Sequence, residues 1–128
     1  MSDNNTQARK DLVVDFLKLA VAGRIDEAYR KHIDMTGKHH NPYFAAGFPA
    51  LKQAMIDNHA KYPDKRIDIK RVITDGDTIA THSHVSLNPG NLNVAVVHIF
   101  RFQGDRIAEL WDIAQEMKAD SPNADGII

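Results

Sequence analysis

Apolar and polar positions along the chain recur with two different periods, and the change of period divides the sequence. Over residues 6–22, Leu12, Val13, Phe16, Leu17 and Ala20 fall at helical spacing and form one apolar stripe. Gly23 stands where such a helix ends. Ile25, Ala28, Tyr29, His32 and Ile33 repeat the pattern and predict a short second helix over 25–33. The segment DMTGKHHNPYFAAGF has no helical period and holds Gly37, Pro42 and Gly47, so it reads as a loop with room for a short strand. Pro49 suits the first turn of a third helix, with Leu51, Ala54, Met55 and Tyr62 as its stripe and Pro63 closing it.

From residue 66 the period becomes two. RIDIKRVIT (66–74) reads as a strand, DGD (75–77) as a hairpin turn and TIATHSHVSL (78–87) as the next strand. NPGNLN (88–93) is a loop, and VAVVHIFRFQGDRIAELWDIAQ (94–115) is two strands joined by a short turn. Helices first and an antiparallel meander afterwards make an α+β layout. The pattern shows no repeat and no internal boundary, so a single domain over 1–128 is expected, with 118–128 a loosely held tail.

The last two strands carry an anomaly. Their even positions are Val94, Val96, His98, Phe100 and Phe102, then Ala108, Leu110, Asp112 and Ala114. Two ionisable groups interrupt an apolar row. A two-residue turn at Gly104-Asp105 would set His98 against residue 111 and place His98 and Asp112 on opposite faces. A three-residue loop at 103–105 or 104–106 makes them neighbours on one face, and this is the register expected here. The odd positions (Ala95, Val97, Ile99 and Arg101, then Ile107, Glu109, Trp111 and Ile113) form a second, mainly apolar face. Three helices can cover only one face, so the odd face is expected to pack against a second copy in a homodimer, the alternative being a sheet that curls and covers itself.

Composition narrows the possibilities. Of 128 residues, 43% are hydrophobic and 26% charged, with a formal net charge of −1. No basic excess points to nucleic acid or an anionic membrane surface. The absence of cysteine excludes disulfides, thiolate metal sites and cysteine nucleophiles. No apolar run has the ~20 residues of a membrane-spanning helix, and the polar start MSDNNTQARKD has no signal-type core, so a soluble, cytoplasmic protein is expected.

Seven histidines are the unusual count. A carboxylate in an apolar setting next to an oriented imidazole is suited to general acid/base work, and the competing reading is a buried His–Asp pair that satisfies itself. His82 and His84 are two apart on a strand and share a face. His40 lies in HHNP, a loop, where functional groups often sit. Convergence of His40, His82 or His84, His98 and Asp112 would suit zinc or iron, although the spacings used by helical metal sites are missing, and no metal is expected.

HHNP (39–42), THSHV (81–85) and HIFRFQGDRIAELWD (98–112) together resemble the SnoaL-like polyketide cyclase family of the NTF2-like superfold. The resemblance runs from the first helix to the final strand. It implies a cone-shaped α+β barrel with three N-terminal helices packed on a curved antiparallel sheet, a deep apolar cavity between them, dimers or larger assemblies, and no cofactor. In the family's cyclases an aspartate on the last strand is the acid/base of an intramolecular aldol condensation, a role that would fall on Asp112, with His98 as the histidine of the preceding strand. Many relatives instead have aspartate where this chain has His98 and histidine where it has Leu110, so the present arrangement is closer to the cyclases. The resemblance also puts His40 at the cavity mouth.

The reading is therefore a cofactor-independent cyclase or isomerase acting on a small apolar molecule that contains a carbonyl group. Asp112 and His98 are its catalytic candidates. His40, His82, His84, Tyr43, Phe100, Leu110 and Met55 are its substrate-binding candidates. Tyr29, Tyr43 or a histidine would be the oxyanion donor that a ketosteroid-isomerase-like variant needs. The alternative is a binding or dimerisation module of the same fold with no chemistry.

Overall fold

Apolar side chains at helical spacing form α1 (Asp3–Val21) and α2 (Ile25–His32), in a computed structural model that describes residues 3–128. α1 turns Val13, Phe16 and Leu17 inward, and α2 buries Ala28 and Tyr29. α3 (Phe48–Lys61) begins at the expected proline and buries Phe48 and Leu51. The period-two region becomes β2 (Arg66–Asp75), β3 (Thr78–Leu87), β4 (Leu92–Gln103) and β5 (Arg106–Glu116). Residues 117–128 form neither helix nor strand. No described helix is long and apolar enough to cross a membrane.

The sheet differs from expectation at one edge. Ile33–His39 is a strand, β1, and the five strands lie in the order β1-β5-β4-β3-β2. The meander β2 to β5 is antiparallel, whereas β1 runs parallel to β5. The curved sheet is therefore mixed rather than wholly antiparallel, and it is not closed. β1 escaped the pattern because its sequence, IDMTGKH, alternates weakly and its partner lies some seventy positions later. Gly37 permits the contact: a Cβ there would stand 2.2 Å from the carbonyl oxygen of Ala108 on β5.

The β4–β5 connection corrects the expected loop. It is a two-residue turn, Gly104-Asp105, with Gln103 opposite Arg106 and Gly104 at φ 63°, a conformation glycine adopts without strain. By itself this turn would part His98 from Asp112. A β-bulge restores the parity: Phe102 pairs with Ile107 but Arg101 pairs with Glu109, so Ala108 is the extra residue. From there on His98 lies directly across from Asp112.

The helices cover the inner face of the sheet. An aromatic series runs through this layer, with Phe48 on Tyr29 (6.2 Å between ring centroids), Tyr29 on Phe16 (5.7 Å), Phe16 on Phe100 (6.1 Å) and Phe100 on His98 (5.9 Å). Rings at these separations and mostly edge-to-face fill the core, which also takes in Ile79, Phe102, Ile107 and Leu110. The outer face carries a register row of Ile73, Ala80, Ile99 and Trp111 with no described helix over it. Ile73 and Ile113 on that face are each 59% exposed.

Candidate active site

Where the aromatic core ends, the layers separate and a cavity of about 680 Å³ opens between α1, α3 and the inner face of the sheet. Its walls include Phe16, Leu51, Met55, Val94 and Val96, and His98 and Asp112 lie at its base. This cavity follows from the inner row: Phe102 and Phe100 fill the narrow end, and smaller residues follow at Val96 and Ala114.

Asp112 is held from the loop that follows β1. Asn41 Nδ2 donates to Asp112 Oδ2 at 2.9 Å. The amide of Asn41 is itself oriented, because its Oδ1 accepts from the backbone N–H of Tyr43 at 2.9 Å. Its backbone N–H donates to His39 Nδ1 at 3.1 Å, and His39 Nε2 donates to the carbonyl of Ala45 at 2.8 Å. The loop is tied to the sheet by His40 N–H donating to Leu110 O at 2.9 Å. Asn41, braced by His39, thus positions Asp112. The signal was present in HHNP, but an asparagine before proline reads first as turn chemistry.

Burial disfavours the charged form of His98. Burial pushes its pKa down from 6.5 to about 4, against the opposing pull of the nearby Asp112 charge. Its Nδ1 is shut off from solvent without a hydrogen-bond partner, as are the hydroxyls of Thr81, which lies directly across β3 from His98, and Ser83. No hydrogen bond joins His98 to Asp112 among the described residues; they are neighbours in charge and space. Tyr29 belongs to the same surroundings: burial, and then the Asp112 charge, drive its phenol pKa well above the usual value. Among the described residues its hydroxyl donates to Met55 Sδ, at 3.3 Å. The Asp112 carboxylate therefore has an imidazole and a phenol nearby.

The remaining candidates separate. Met55 lines the cavity, and Tyr43, 85% exposed, stands at its mouth. Phe100 and Leu110 are fully buried beneath the cavity and support it without lining it. His40 is at the rim, but its ring turns to the outer face. There it stacks on Trp111 (4.9 Å, 11°) and donates to Glu109 Oε2 at 2.5 Å. His82 and His84 also belong to the outer face, where Arg71 donates to His82 Nδ1 and His84 donates to Asn93 Oδ1 at 2.9 Å. They are removed from the cavity because inner positions on β3 are Ile79, Thr81 and Ser83. The three histidines do not converge with His98 and Asp112, and no described cluster of three or more His, Asp or Glu side chains has metal-binding geometry.

Comparison with known proteins agrees with this architecture. A SnoaL-like polyketide cyclase from Agrobacterium tumefaciens superposes with a TM-score of 0.70 at 16% identity, covering 84% of this chain and 91% of that one. An NTF2-like protein of unknown function from Burkholderia xenovorans LB400 gives 0.75 at 15% identity, with 93% and 91% covered. AclR from Streptomyces galilaeus, described as a candidate hydroxylase, gives 0.70 at 18% identity, with 84% and 88% covered. At these identities the likeness is one of fold. No curated protein matches the sequence. The SnoaL-like domain family matches residues 13–110, most of the folded chain, and the protein belongs to that family.

Proposed function

We propose that the protein is a cyclase- or isomerase-type enzyme in which Asp112 moves a proton at the carbon alpha to a carbonyl of an apolar substrate. The observation that carries this reading is a single carboxylate, anchored by Asn41, among the mainly apolar walls of the cavity. Positioned acid–base help of this kind contributes about 10²–10⁴-fold. The ionised carboxylate takes the alpha proton, the electron pair passes to the carbonyl oxygen as an enolate, and the proton is later returned to carbon or oxygen. The neutral ring of His98 is suited to donate a hydrogen bond to that oxygen, and the apolar walls would hold a flexible substrate in reactive geometry. Aldol ring closure and a double-bond shift share this first step and differ in what the enolate attacks.

The shared step gives an assay that needs no knowledge of the product. In D₂O, wild-type protein is expected to exchange alpha hydrogens in a panel of apolar ketones and β-keto esters, read by mass spectrometry. Asp112→Asn, close in shape, is expected to stay folded and to reduce exchange at least ~100-fold. Ligands that bind but show no exchange with wild-type protein would leave the non-catalytic binding module as the better reading.

The outer face supports a second proposal, that the protein acts as a homodimer. Its apolar row with exposed isoleucines, open in a single chain, is suited to a second copy.

A further inference from the structure

The cavity has a second polar end that the acid–base reading leaves unused. Lys65 lies in the short link between α3 and β2 and lines the cavity together with Asn58. The link is fixed by two backbone hydrogen bonds, Tyr62 N–H to Asn58 O (2.8 Å) and Lys65 N–H to Tyr62 O (3.3 Å). The ammonium of Lys65 donates to Asn58 Oδ1 at 2.7 Å, and among the described residues it pairs with no carboxylate. It is partly withdrawn from water, and that burial depresses its pKa. A cation kept in such a place without a counter-charge is costly unless something else supplies one. The same lysine also borders a surface notch with Lys18, Arg66 and Asp64, so the approach to this end is net positive. Asp112 sits on β5, and its register row runs through His98 and Thr81 to Val72 on β2, so Lys65, which precedes β2, is three strands away and displaced along the sheet as well.

We propose that Lys65 and Asn58 form an anion-binding subsite, and that the ligand of this cavity is an elongated apolar molecule bearing a carboxylate or another anionic oxygen at the end remote from Asp112. The inference rests on the reading of the cavity as the substrate site. Lys65 would supply the counter-charge, and the amide of Asn58 would orient it. An acidic substrate would be held with its anionic end at Lys65 and its neutral carbonyl portion toward Asp112, where a second negative charge would be repelled. The subsite thus fixes the orientation in which the substrate lies.

Two fluorescent probes test this directly: 8-anilinonaphthalene-1-sulfonate, an apolar anion, and N-phenyl-1-naphthylamine, the same ring system without the sulfonate. Lys65→Met is expected to weaken the anion by roughly tenfold or more and to leave the neutral probe within about twofold, while Lys65→Arg retains the anion. In wild-type protein, decanoate should displace the neutral probe more strongly than decanol, a comparison that needs no variant. Equal effects of Lys65→Met on both probes, no effect on either, or stronger displacement by decanol would overturn the subsite. Asp112→Asn should leave the probe pattern intact. Loss of alpha exchange with an unchanged Lys65 effect therefore separates the acid–base chemistry from the anion subsite, and either can fail alone.

Discussion

A histidine at the end of an aromatic series has its protonation decided by its neighbours. His98 lies at 19° to the ring of Phe100, with Nδ1 enclosed, and its folded pKa of about 4 is below the 6.5 of the free side chain. Between those values the unfolded chain binds a proton that the native protein refuses, so this group's contribution is fully present above about pH 6.5 and is lost as pH falls toward 4. Denaturant unfolding at a series of pH values should show stability falling across that window. His98→Asn should flatten the slope, and an unchanged slope would mean that His98 is protonated in the native state. Asn41 shows the other side of residue-scale reading. Its neighbour His40 drew attention by chemical type, yet the hydrogen bond to Asp112 comes from the amide. Residue type announces which chemistry is available, whereas contact depends on which way a loop turns.

At the scale of elements, the site depends on a bulge and on the strand beside it. Without Ala108 as the extra residue, the Gly104-Asp105 turn would rotate Asp112 out of the cavity. β1 lies against that bulge through Gly37, and β1 leads into the loop that carries Asn41. A methyl group at Gly37 would meet backbone, which cannot step aside as a flexible side chain does. Gly37→Ala should therefore lower stability by about 1–3 kcal/mol, measured by denaturant unfolding, and should reduce alpha exchange by displacing Asn41. Wild-type stability in this variant would show that β1 does not approach β5 so closely. The helices were legible because each buries one stripe, and the meander because its strands pair with their sequence neighbours. β1 was not, because its partner lies far along the chain and its side chains alternate weakly.

For the whole molecule, the question is what becomes of a sheet with two apolar faces. The inner face is covered by the helices, and at the end of the outer row of Ile73, Ala80, Ile99 and Trp111 the ring of His40 stacks on Trp111. The Arg101–Glu109–His40 contacts at one end of this face hold the Glu109 carboxyl below its usual pKa and give the face a charged margin. If two copies pack here, Ile99→Glu should convert a dimer to a monomer by light scattering while leaving the far-ultraviolet circular dichroism unchanged; wild-type protein that is already monomeric would refute the arrangement. Local pattern by itself determined the three helices, the four meander strands, the apolar row broken by His98 and Asp112, and a second apolar face. These depend on periodicity and on hydrogen bonding between near neighbours, which a linear sequence displays. Tertiary structure alone decided the parallel edge strand, the bulge that sets His98 across from Asp112, the turning of His40, His82 and His84 to the outer face, and the placing of Asn41 and Lys65 on the cavity. Each of these depends on a long-range contact or on a one-residue change of register, and a shift of one residue moves every later side chain of a strand to the opposite face.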